Sequence, residues 1–196
     1  MANQVATTTQ QKPIQALKGM LEAPSVKAQF ESVLKDNAPM FIASLIDMFS
    51  TDSKLQECEP KALINEALKA AILKLPLNKS LGFSFIVPFN NSVKVGNEWA
   101  KKMTPNFQIG YKGYIQLAIR TGQYKYINTD SVLEGEYLGK DKLTGEINLK
   151  GEAVSDKVVG YFAHLELHNG FRKTLYSTVK QIEDHAKKHS KTYAFK

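Results

Sequence analysis

Lys112, Gln116 and Arg120 recur at intervals of four residues near the middle of the chain. In a helix such residues share one face, and the outer two lie about 12 Å apart along the axis. Two cations at this spacing, with an amide between them, are suited to binding successive phosphate groups of a nucleic-acid backbone. This polar stripe is therefore either the solvated face of an ordinary amphipathic helix or a phosphate-binding surface.

The segment 108–123, QIGYKGYIQLAIRTGQ, is predicted to form the helix that carries this stripe. Its other side has the periodicity of a core-facing surface, formed by Tyr111, Tyr114, Ile115, Ala118 and Ile119. Gly110 and Gly113 are poor helix formers, so we expect something to approach the backbone closely in the first turn. Gly122 is expected to end the helix. Tyr111 either stacks on a base or lies in the core, and its place on the apolar side favours the core.

The net charge of +7 is concentrated in two parts of the sequence. Residues 67–129 contain nine basic residues and one acidic residue, and residues 172–196 have a net charge of +5. The segments 1–66 and 130–171 have net charges of −2 and −4. The first basic segment cannot neutralise itself by internal ion pairs, so it is either solvated or matched by an external polyanion. Nucleic acid is the commonest such partner.

The amino-terminal third is predicted to be helical. Residues 1–13 are polar and lack periodicity, which predicts a disordered tail. Residues 14–59 have helical periodicity with prolines at the helix starts, and this helical N-terminal region is our candidate for a subunit contact. Pro60 is expected to begin a further helix that ends before Pro76. We assign residues 60–196 to a core that binds nucleic acid.

Two strands and a tight turn are predicted next. In residues 75–89 the phenylalanines alternate with smaller residues, which predicts a strand buried on its phenylalanine face, with Pro88 at a sheet edge or at the strand end. Gly96-Asn97 is a signal for a two-residue hairpin turn. That turn would place four side chains on one face of the hairpin, namely Lys94, Trp99, Lys101 and Met103. This face is either a nucleic-acid-binding finger or a solvated hairpin whose tryptophan docks on the domain.

The carboxy-terminal part reads as antiparallel strands and a helix. Strands are expected at 124–127, 131–138 and 158–167, and Asn169-Gly170 signals another two-residue hairpin. This hairpin would place Glu166 opposite Lys173, with one mostly apolar face formed by Tyr161, Ala163, Leu165, Leu167, Thr174 and Tyr176. Thr178 and Gln181 have the spacing of a capping box before a last helix. The predicted class is α+β, with a small antiparallel sheet and a β-hairpin packed with the central amphipathic helix.

The sequence offers little for covalent or metal chemistry. There is no GxxxxGK[ST] phosphate loop for ATP, and the single cysteine, Cys58, excludes an internal disulfide. We assign no catalytic or metal-ligating residue. His185 and His189 have helical metal-pair spacing but are better explained as a solvated face. Asp130, with Glu134 and Glu136, leaves a magnesium-dependent nuclease open as an alternative, although a solvated strand edge is favoured. No apolar run is long enough to span a membrane, and we expect a cytoplasmic protein.

Two stretches resemble the RecT-type family of phage single-strand annealing proteins, LPLNKSLGFSFIVPF at 75–89 and QIGYKGYIQLAIRTGQYKYI at 108–127. The resemblance covers residues 60 to about 190. It implies a DNA-binding recombinase, not an enzyme, that coats single-stranded DNA without ATP and pairs it with a complementary strand. It also implies rings or filaments of identical subunits, a phage exonuclease partner, and a place beside the nucleoid of a bacterial host. No cofactor is required, and Mg²⁺ dependence is unassigned.

The resemblance and the residues agree on where DNA would bind. Lys112 and Arg120, with Gln116 between them, would hold one backbone along the helix, and Gly113 would let the strand come close. Further contacts are expected from Asn78, Lys79, Lys94, Lys101, Lys102 and Lys125. Trp99 or Met103 would wedge between bases. The alternatives are the metal-dependent nuclease and a structural protein that coats DNA without annealing it.

Overall fold

A computed structural model describes residues 5–96, 98–190 and 193. The chain divides within one helix into two compact units, Met1–Leu117 and Ala118–Lys196. We call them the helical unit and the sheet unit. The predicted α+β class is confirmed. The division differs from the boundary expected at residue 60, because the helix that begins there packs against the amino-terminal helices.

The helical unit begins with a bundle of short helices. Its elements are α1 (Val5–Glu22), α2 (Pro24–Leu34), a 3₁₀ turn (Lys35–Asn37), α3 (Ala38–Thr51), α4 (Ser53–Gln56) and α5 (Pro60–Ile72). Prolines occupy the first turn of α2, α3 and α5, where a missing backbone N–H costs nothing. These starts are where the sequence predicts them. By contrast, α1 begins at Val5, inside the predicted disordered tail, whose residues 1–4 lie outside the described chain.

These helices enclose the hydrophobic core. The largest fully buried side chains include Leu17, Phe30, Leu45, Phe49, Leu55 and Leu63. Small residues on α5, among them Ala67, Ala70 and Ala71, are also buried there. Because alanine adds little bulk, α5 can pack closely against α1 and α2.

A long two-stranded hairpin projects from this core. It consists of β1 (Ser84–Val95) and β2 (Glu98–Ile109), and its register pairs Lys94 with Trp99 and Val95 with Glu98, as predicted. Gly96 has φ of +63°, while Asn97 of the predicted turn lies outside the described residues.

Two prolines face each other midway along this hairpin. Pro88 is paired with Pro105. Proline has no N–H to share, so the pair occupies a position where the backbone polar groups point away from the partner strand. Strand β1 continues through Pro88, so this residue lies at a sheet edge and not at the end of the strand.

The buried face of β1 is opposite to the predicted one. Ser84 and Ile86 are fully buried, whereas Phe83 and Phe85 are only partly covered and Phe89 is exposed. The Ser84 hydroxyl donates to the Pro76 carbonyl at 2.8 Å, and Ile86 joins the helical core. Alternation correctly indicated a strand but not which side faced the helices, because Ser84 becomes buriable only through that hydrogen bond.

Helix α6 (Tyr111–Arg120) follows β2 directly. Gly113 is its buried residue, and a Cβ there would overlap the carbonyl oxygen of Phe83. A Cβ at Gly110 would likewise overlap the carbonyl oxygen of Gly82. The close approach predicted from these glycines is therefore made by the chain's own backbone. Gly122, with φ of +66°, follows the helix end as expected.

The predicted core-facing stripe of α6 is wrong. The side chains of Tyr111, Tyr114 and Ile119 are 71%, 62% and 59% exposed, and Ile115 is exposed as well. The helix instead uses its glycine side to contact the 82–83 backbone, because only residues without a side chain fit against it. Hydrophobic periodicity located the helix but not its buried side.

The sheet unit contains a three-stranded antiparallel sheet in the order β3-β6-β7. Its elements are β3 (Tyr124–Leu133), the short pair β4 (Gly139–Lys140) and β5 (Ile147–Asn148), β6 (Val158–Leu167), β7 (Arg172–Thr178) and α7 (Val179–His189). The strands predicted at 124–127 and 131–138 are one strand that ends at a turn containing Gly135. The predicted capping box of Thr178 and Gln181 is present at the start of α7.

The hairpin between β6 and β7 is shifted by one residue from its predicted register. Glu166 pairs with Arg172, and Leu165 pairs with Lys173. Gly170 has φ of +87° and donates to the Leu167 carbonyl, while the Leu167 N–H donates to Phe171. This is a three-residue loop with a bulge, not a two-residue turn. Because one residue of slip reverses the sides of a strand, Leu175 replaces Thr174 and Tyr176 on the face that carries Tyr161 and Ala163.

Candidate nucleic-acid interface

The tip of the β1–β2 hairpin presents two lysines and the only tryptophan on one face. Lys94 pairs with Trp99, and Lys101 follows Trp99 on the same side of β2. The Trp99 side chain is 72% exposed, so it is not docked on the domain. Among the described residues, neither lysine forms an ion pair. The structure thus brings together the predicted finger residues, apart from Met103.

Met103 lies farther down this face, where the hairpin meets the helices. It is partly buried and packs against the core, as does Phe107. A side chain committed to the core cannot insert between bases without breaking those contacts. Of the two predicted wedge residues, Trp99 is therefore the one that the structure places in solvent.

A second group of predicted residues lies at the base of the hairpin. Asn78 accepts a hydrogen bond from the Ser80 N–H at 2.9 Å and so begins the 3₁₀ turn Lys79–Leu81. Gly82 follows with φ of +72°, and a Cβ there would be 3.5 Å from the Lys112 side chain. Lys112 is exposed and forms no ion pair within the described part of the chain.

Three of the predicted cations are paired with carboxylates. Lys79 contacts Asp52 at 2.8 Å, Lys102 contacts Glu59 at 3.2 Å, and Lys125 contacts Glu166 at 2.8 Å. The hydrogen bond that Lys125 donates to the Glu166 carboxylate raises the pKa of Lys125 and lowers the pKa of Glu166. The lysine side chains of these pairs are about half exposed, so each pair is weakly stabilising. Their ion pairs nevertheless distinguish these three lysines from Lys94, Lys101 and Lys112, which form none with the described residues.

Asp52 shows how one such pair is held. Partial burial works to raise the pKa of Asp52, but hydrogen bonds from Lys79 and from the backbone N–H groups of Leu55 and Lys54 outweigh it. The pKa of Asp52 is therefore below its usual value. The carboxylate both caps α4 and neutralises Lys79.

The remaining predicted residues lie on α6. Tyr111 is exposed and not in the core, contrary to the favoured prediction. Gly113 is buried against Phe83, so it offers no open backbone to a nucleic-acid strand. Gln116 is partly buried. Arg120 is exposed and falls in the sheet unit, although it belongs to the same helix as Lys112.

The tip and the base of the hairpin are separate sites of positive charge. Ile109 lies eight positions after Lys101 in β2, which at about 3.3 Å per residue corresponds to roughly 26 Å. One bound strand would have to extend along the hairpin to contact both. The predicted residues therefore form two clusters in the helical unit, one of Lys94, Trp99 and Lys101 and one around Lys112.

The carboxylates of Glu134 and Glu136, which could serve a nuclease, form hydrogen bonds that stabilise the turn after β3. Glu134 accepts hydrogen bonds from Ser155 at 3.0 Å and Lys157 at 3.3 Å, and Glu136 accepts one from the Leu133 N–H at 2.6 Å. Across the described residues, no group of three His, Cys, Asp or Glu side chains is arranged to hold a metal ion.

Sequence reasoning missed the division between paired and unpaired lysines. The acidic partners Asp52, Glu59 and Glu166 lie 27, 43 and 41 residues away from their lysines. No local pattern signals contacts over such distances.

Within the described residues, no helix is long and apolar enough to cross a membrane.

Comparison with known proteins places this arrangement in a family. The RecT family model matches residues 39–195, and the chain belongs to that family. It is 45% identical over 177 residues to the protein YqaK of Bacillus subtilis (strain 168), a match that covers 90% of the chain. It is 27% identical over 169 residues to Protein RecT of Escherichia coli (strain K12), covering 83% of the chain. These matches span 58% and 61% of the two relatives.

Proposed function

We propose that this protein binds single-stranded DNA and anneals it to a complementary strand without ATP, as a homo-oligomer acting in homologous recombination. The observation that carries the proposal is the exposed face of Lys94, Trp99 and Lys101 at the hairpin tip, in a member of the RecT family. Two cations that form no ion pair with any described residue, beside an exposed indole, suit a DNA strand whose bases are unstacked.

The chemistry of this face requires no sequence readout. Lysine ammonium groups bind phosphates by charge, and an indole stacks on any base because every base has a flat face. Contacts of these two kinds leave the base-pairing edges free for a second strand. The tip cluster therefore suits annealing better than recognition of a particular sequence.

Lys112 contacts the DNA backbone at a second place, and Gln116 and Arg120 follow it along α6. Lys79, Lys102 and Lys125 contribute less, because a phosphate must first displace their carboxylate partners. Self-association through the amino-terminal helices and cooperation with an exonuclease belong to the same proposal, as does action in a bacterial cytoplasm.

The test is annealing of two complementary fluorescent oligonucleotides after one has been incubated with the protein, in buffer without nucleotide triphosphate. We expect faster pairing and full-length strands at the end. Binding without faster pairing would instead favour the structural coating protein. Shortened strands that appear only with Mg²⁺ would favour the nuclease, and the same reaction in EDTA measures any need for the ion in annealing.

Lys101 and Lys102 provide a matched pair of variants for this assay. They are adjacent, both exposed and equally charged, but they point to opposite faces, and of the two only Lys102 forms an ion pair within the described part of the chain. Lys101→Ala is expected to weaken oligonucleotide binding and its salt dependence more than Lys102→Ala. Equal losses would mean that net charge, and not the tip face, determines binding.

A further inference from the structure

A polar cavity of about 270 Å³ lies within the sheet unit, between the 141–150 segment and one face of β6 and β7. Its lining includes Lys150, His164, Arg172 and Thr174. Of the described residues that line it, Glu146 is the acidic one. A small concave site with several cations and hydroxyl groups is suited to an anion.

The strand register fixes the side chains that form the floor of the cavity. Arg172 and Thr174 alternate on β7 and so share one face, with His164 directly opposite Thr174 on β6. The His164 Nδ1 and the Thr174 hydroxyl oxygen are 2.8 Å apart. The donors are thus carried by paired strands, which hold them more precisely than a loop would.

The segment over the cavity is held by its own hydrogen bonds. The Asp141 carboxylate accepts from the N–H groups of Thr144 and Leu143 at 2.7 and 2.8 Å, and these bonds lower the pKa of Asp141. Tyr137, just before this segment, stacks on Tyr176 with ring centroids 4.4 Å apart. Tyr176 shares the strand face of Arg172, so the stack anchors the segment over that face.

Arg172 forms an ion pair with Glu146 that another anion could replace. One of its terminal nitrogens contacts the Glu146 carboxylate at 2.7 Å, and the two side chains are 64% and 57% exposed. Exposed pairs of this kind are weak, and a guanidinium has five N–H donors, which suit a phosphate bidentately. Glu166 faces Arg172 across the ladder, but its carboxylate is bonded to Lys125 at 2.8 Å.

We propose that this cavity is a second phosphate-binding site, in which Arg172 and Lys150 hold a phosphate group of DNA after Glu146 has released Arg172. Glu146 acts as a competing anion that keeps the guanidinium in place while the site is empty of phosphate. The assignment of this phosphate group to DNA rests on the proposed function, whereas the ability of the cavity to bind an anion does not. The site lies outside the predicted DNA-binding residues.

Binding of inorganic phosphate to the full chain, followed by ³¹P NMR line broadening, tests the anion site without any need for annealing. Arg172→Ala and Lys150→Ala are each expected to weaken binding by about tenfold, the usual effect of losing a hydrogen bond to a charged group. Glu146→Gln is expected to strengthen it. Arg172→Lys keeps the charge but loses the paired donors, and is expected to weaken it in part.

Two control variants separate the site from general charge. Lys142→Ala removes a cation from the same segment without touching the cavity lining, and Glu152→Gln removes an acid elsewhere in the sheet unit. If Arg172→Ala matches Lys142→Ala and Glu146→Gln matches Glu152→Gln, the proposal is overturned and the ion pair is only a tether for the segment. Circular dichroism establishes that each variant is folded.

Oligonucleotides with and without a 5′-phosphate identify the source of the phosphate. Tighter binding of the phosphorylated strand, lost in Arg172→Ala, would assign the cavity to strand ends. Equal binding of both strands, weakened equally by Arg172→Ala, would assign it to the continuous backbone. Phosphate binding that is lost in Arg172→Ala while both oligonucleotides are unaffected would overturn the DNA assignment. Failure of annealing with these results intact would count against the proposed function alone.

Discussion

The helical unit and the sheet unit differ in how they bury apolar side chains. In the helical unit, fully buried phenylalanines and leucines from α1, α2, α3 and α5 form one continuous core. In the described part of the sheet unit, Val132 is the one buried hydrophobic side chain of this kind, and Leu175 and Tyr161 on the bare sheet face are 65% and 47% exposed. Strand pairing, polar contacts and the Tyr137–Tyr176 stack hold the sheet unit instead.

This difference indicates where the stability of the molecule resides. Burial of apolar area is the main stabilising contribution to a fold, whereas exposed hydrogen bonds and ion pairs contribute little net free energy. We therefore expect the sheet unit to open at lower free energy than the helical unit. The cavity of the sheet unit then lies on a part of the molecule that can adjust to a ligand.

The largest expected effect is that of a core truncation in the helical unit. Phe49→Ala removes a fully buried ring and is expected to lower the free energy of unfolding by about 3–5 kcal/mol. Leu175→Ala in the sheet unit should change it by only about 0.5 kcal/mol. Urea denaturation measures both. Similar losses would show that the exposed sheet face is covered in solution and that the two units do not differ in apolar burial.

Glycines at close contacts provide the next effect. Gly113→Ala places a Cβ against the Phe83 carbonyl, and Gly160→Ala in the sheet unit places one against the Tyr176 ring. Each is expected to cost about 1–3 kcal/mol. Gly19→Ala in α1 meets nothing within 4 Å and should be neutral or stabilise the helix by up to about 1 kcal/mol.

Hydrogen exchange then shows which unit each glycine variant affects. Gly113→Ala should increase exchange in the helical unit, and Gly160→Ala should do so only in β6 and β7. A global increase caused by Gly160→Ala would mean that the two units unfold together.

Helix caps in the two units should differ in their response to pH. Asp52→Ala and Thr178→Ala each remove a cap and are expected to cost about 1 kcal/mol at pH 7. The pKa of Asp52 is lowered in the folded state, so its stabilisation is present above the unfolded pKa of about 3.9 and is lost as the pH falls through the folded value. Thr178 does not titrate.

The pH dependence of each variant tests this distinction. The difference between wild type and Asp52→Ala should shrink between pH 7 and pH 3 in thermal denaturation, while that of Thr178→Ala should not. A constant difference for Asp52→Ala would show that its carboxylate is not stabilised by the cap and by Lys79.

The smallest expected effect on stability is at the hairpin tip. Trp99→Ala should change the free energy of unfolding by about 0.5 kcal/mol or less, because the indole is exposed. The same change is expected to weaken binding of a single-stranded oligonucleotide by about 1–3 kcal/mol, the usual contribution of one stacked base. Fluorescence anisotropy measures binding. A large loss of stability with unchanged binding would assign Trp99 to the core of the protein and not to its surface.

Local sequence signals predicted the elements of this fold well. Prolines marked the starts of α2, α3 and α5, the Gly96 turn gave the correct β1–β2 register, and the Thr178 capping box began α7. These features depend on a few neighbouring residues, and a steric rule or hydrogen-bond rule relates their type directly to the backbone.

Features that depend on distant neighbours were not predictable. The buried sides of β1 and α6 depend on contacts with Pro76 and Phe83, and apolar periodicity indicated the opposite side in both cases. The β6–β7 loop gained a bulge that moved Leu175 to the other face. In the candidate site, residue types gave the set of cations, but the distant carboxylates that pair with Lys79, Lys102 and Lys125 gave no signal.

The opposed prolines Pro88 and Pro105 have a consequence for solubility. A long hairpin with free edges can recruit strands from other molecules and so begin aggregation. At this pair, each outer edge lacks the donor that an added strand would need. Neither edge can therefore be extended continuously into a larger sheet. The hairpin can therefore remain a two-stranded arm even at high protein concentration.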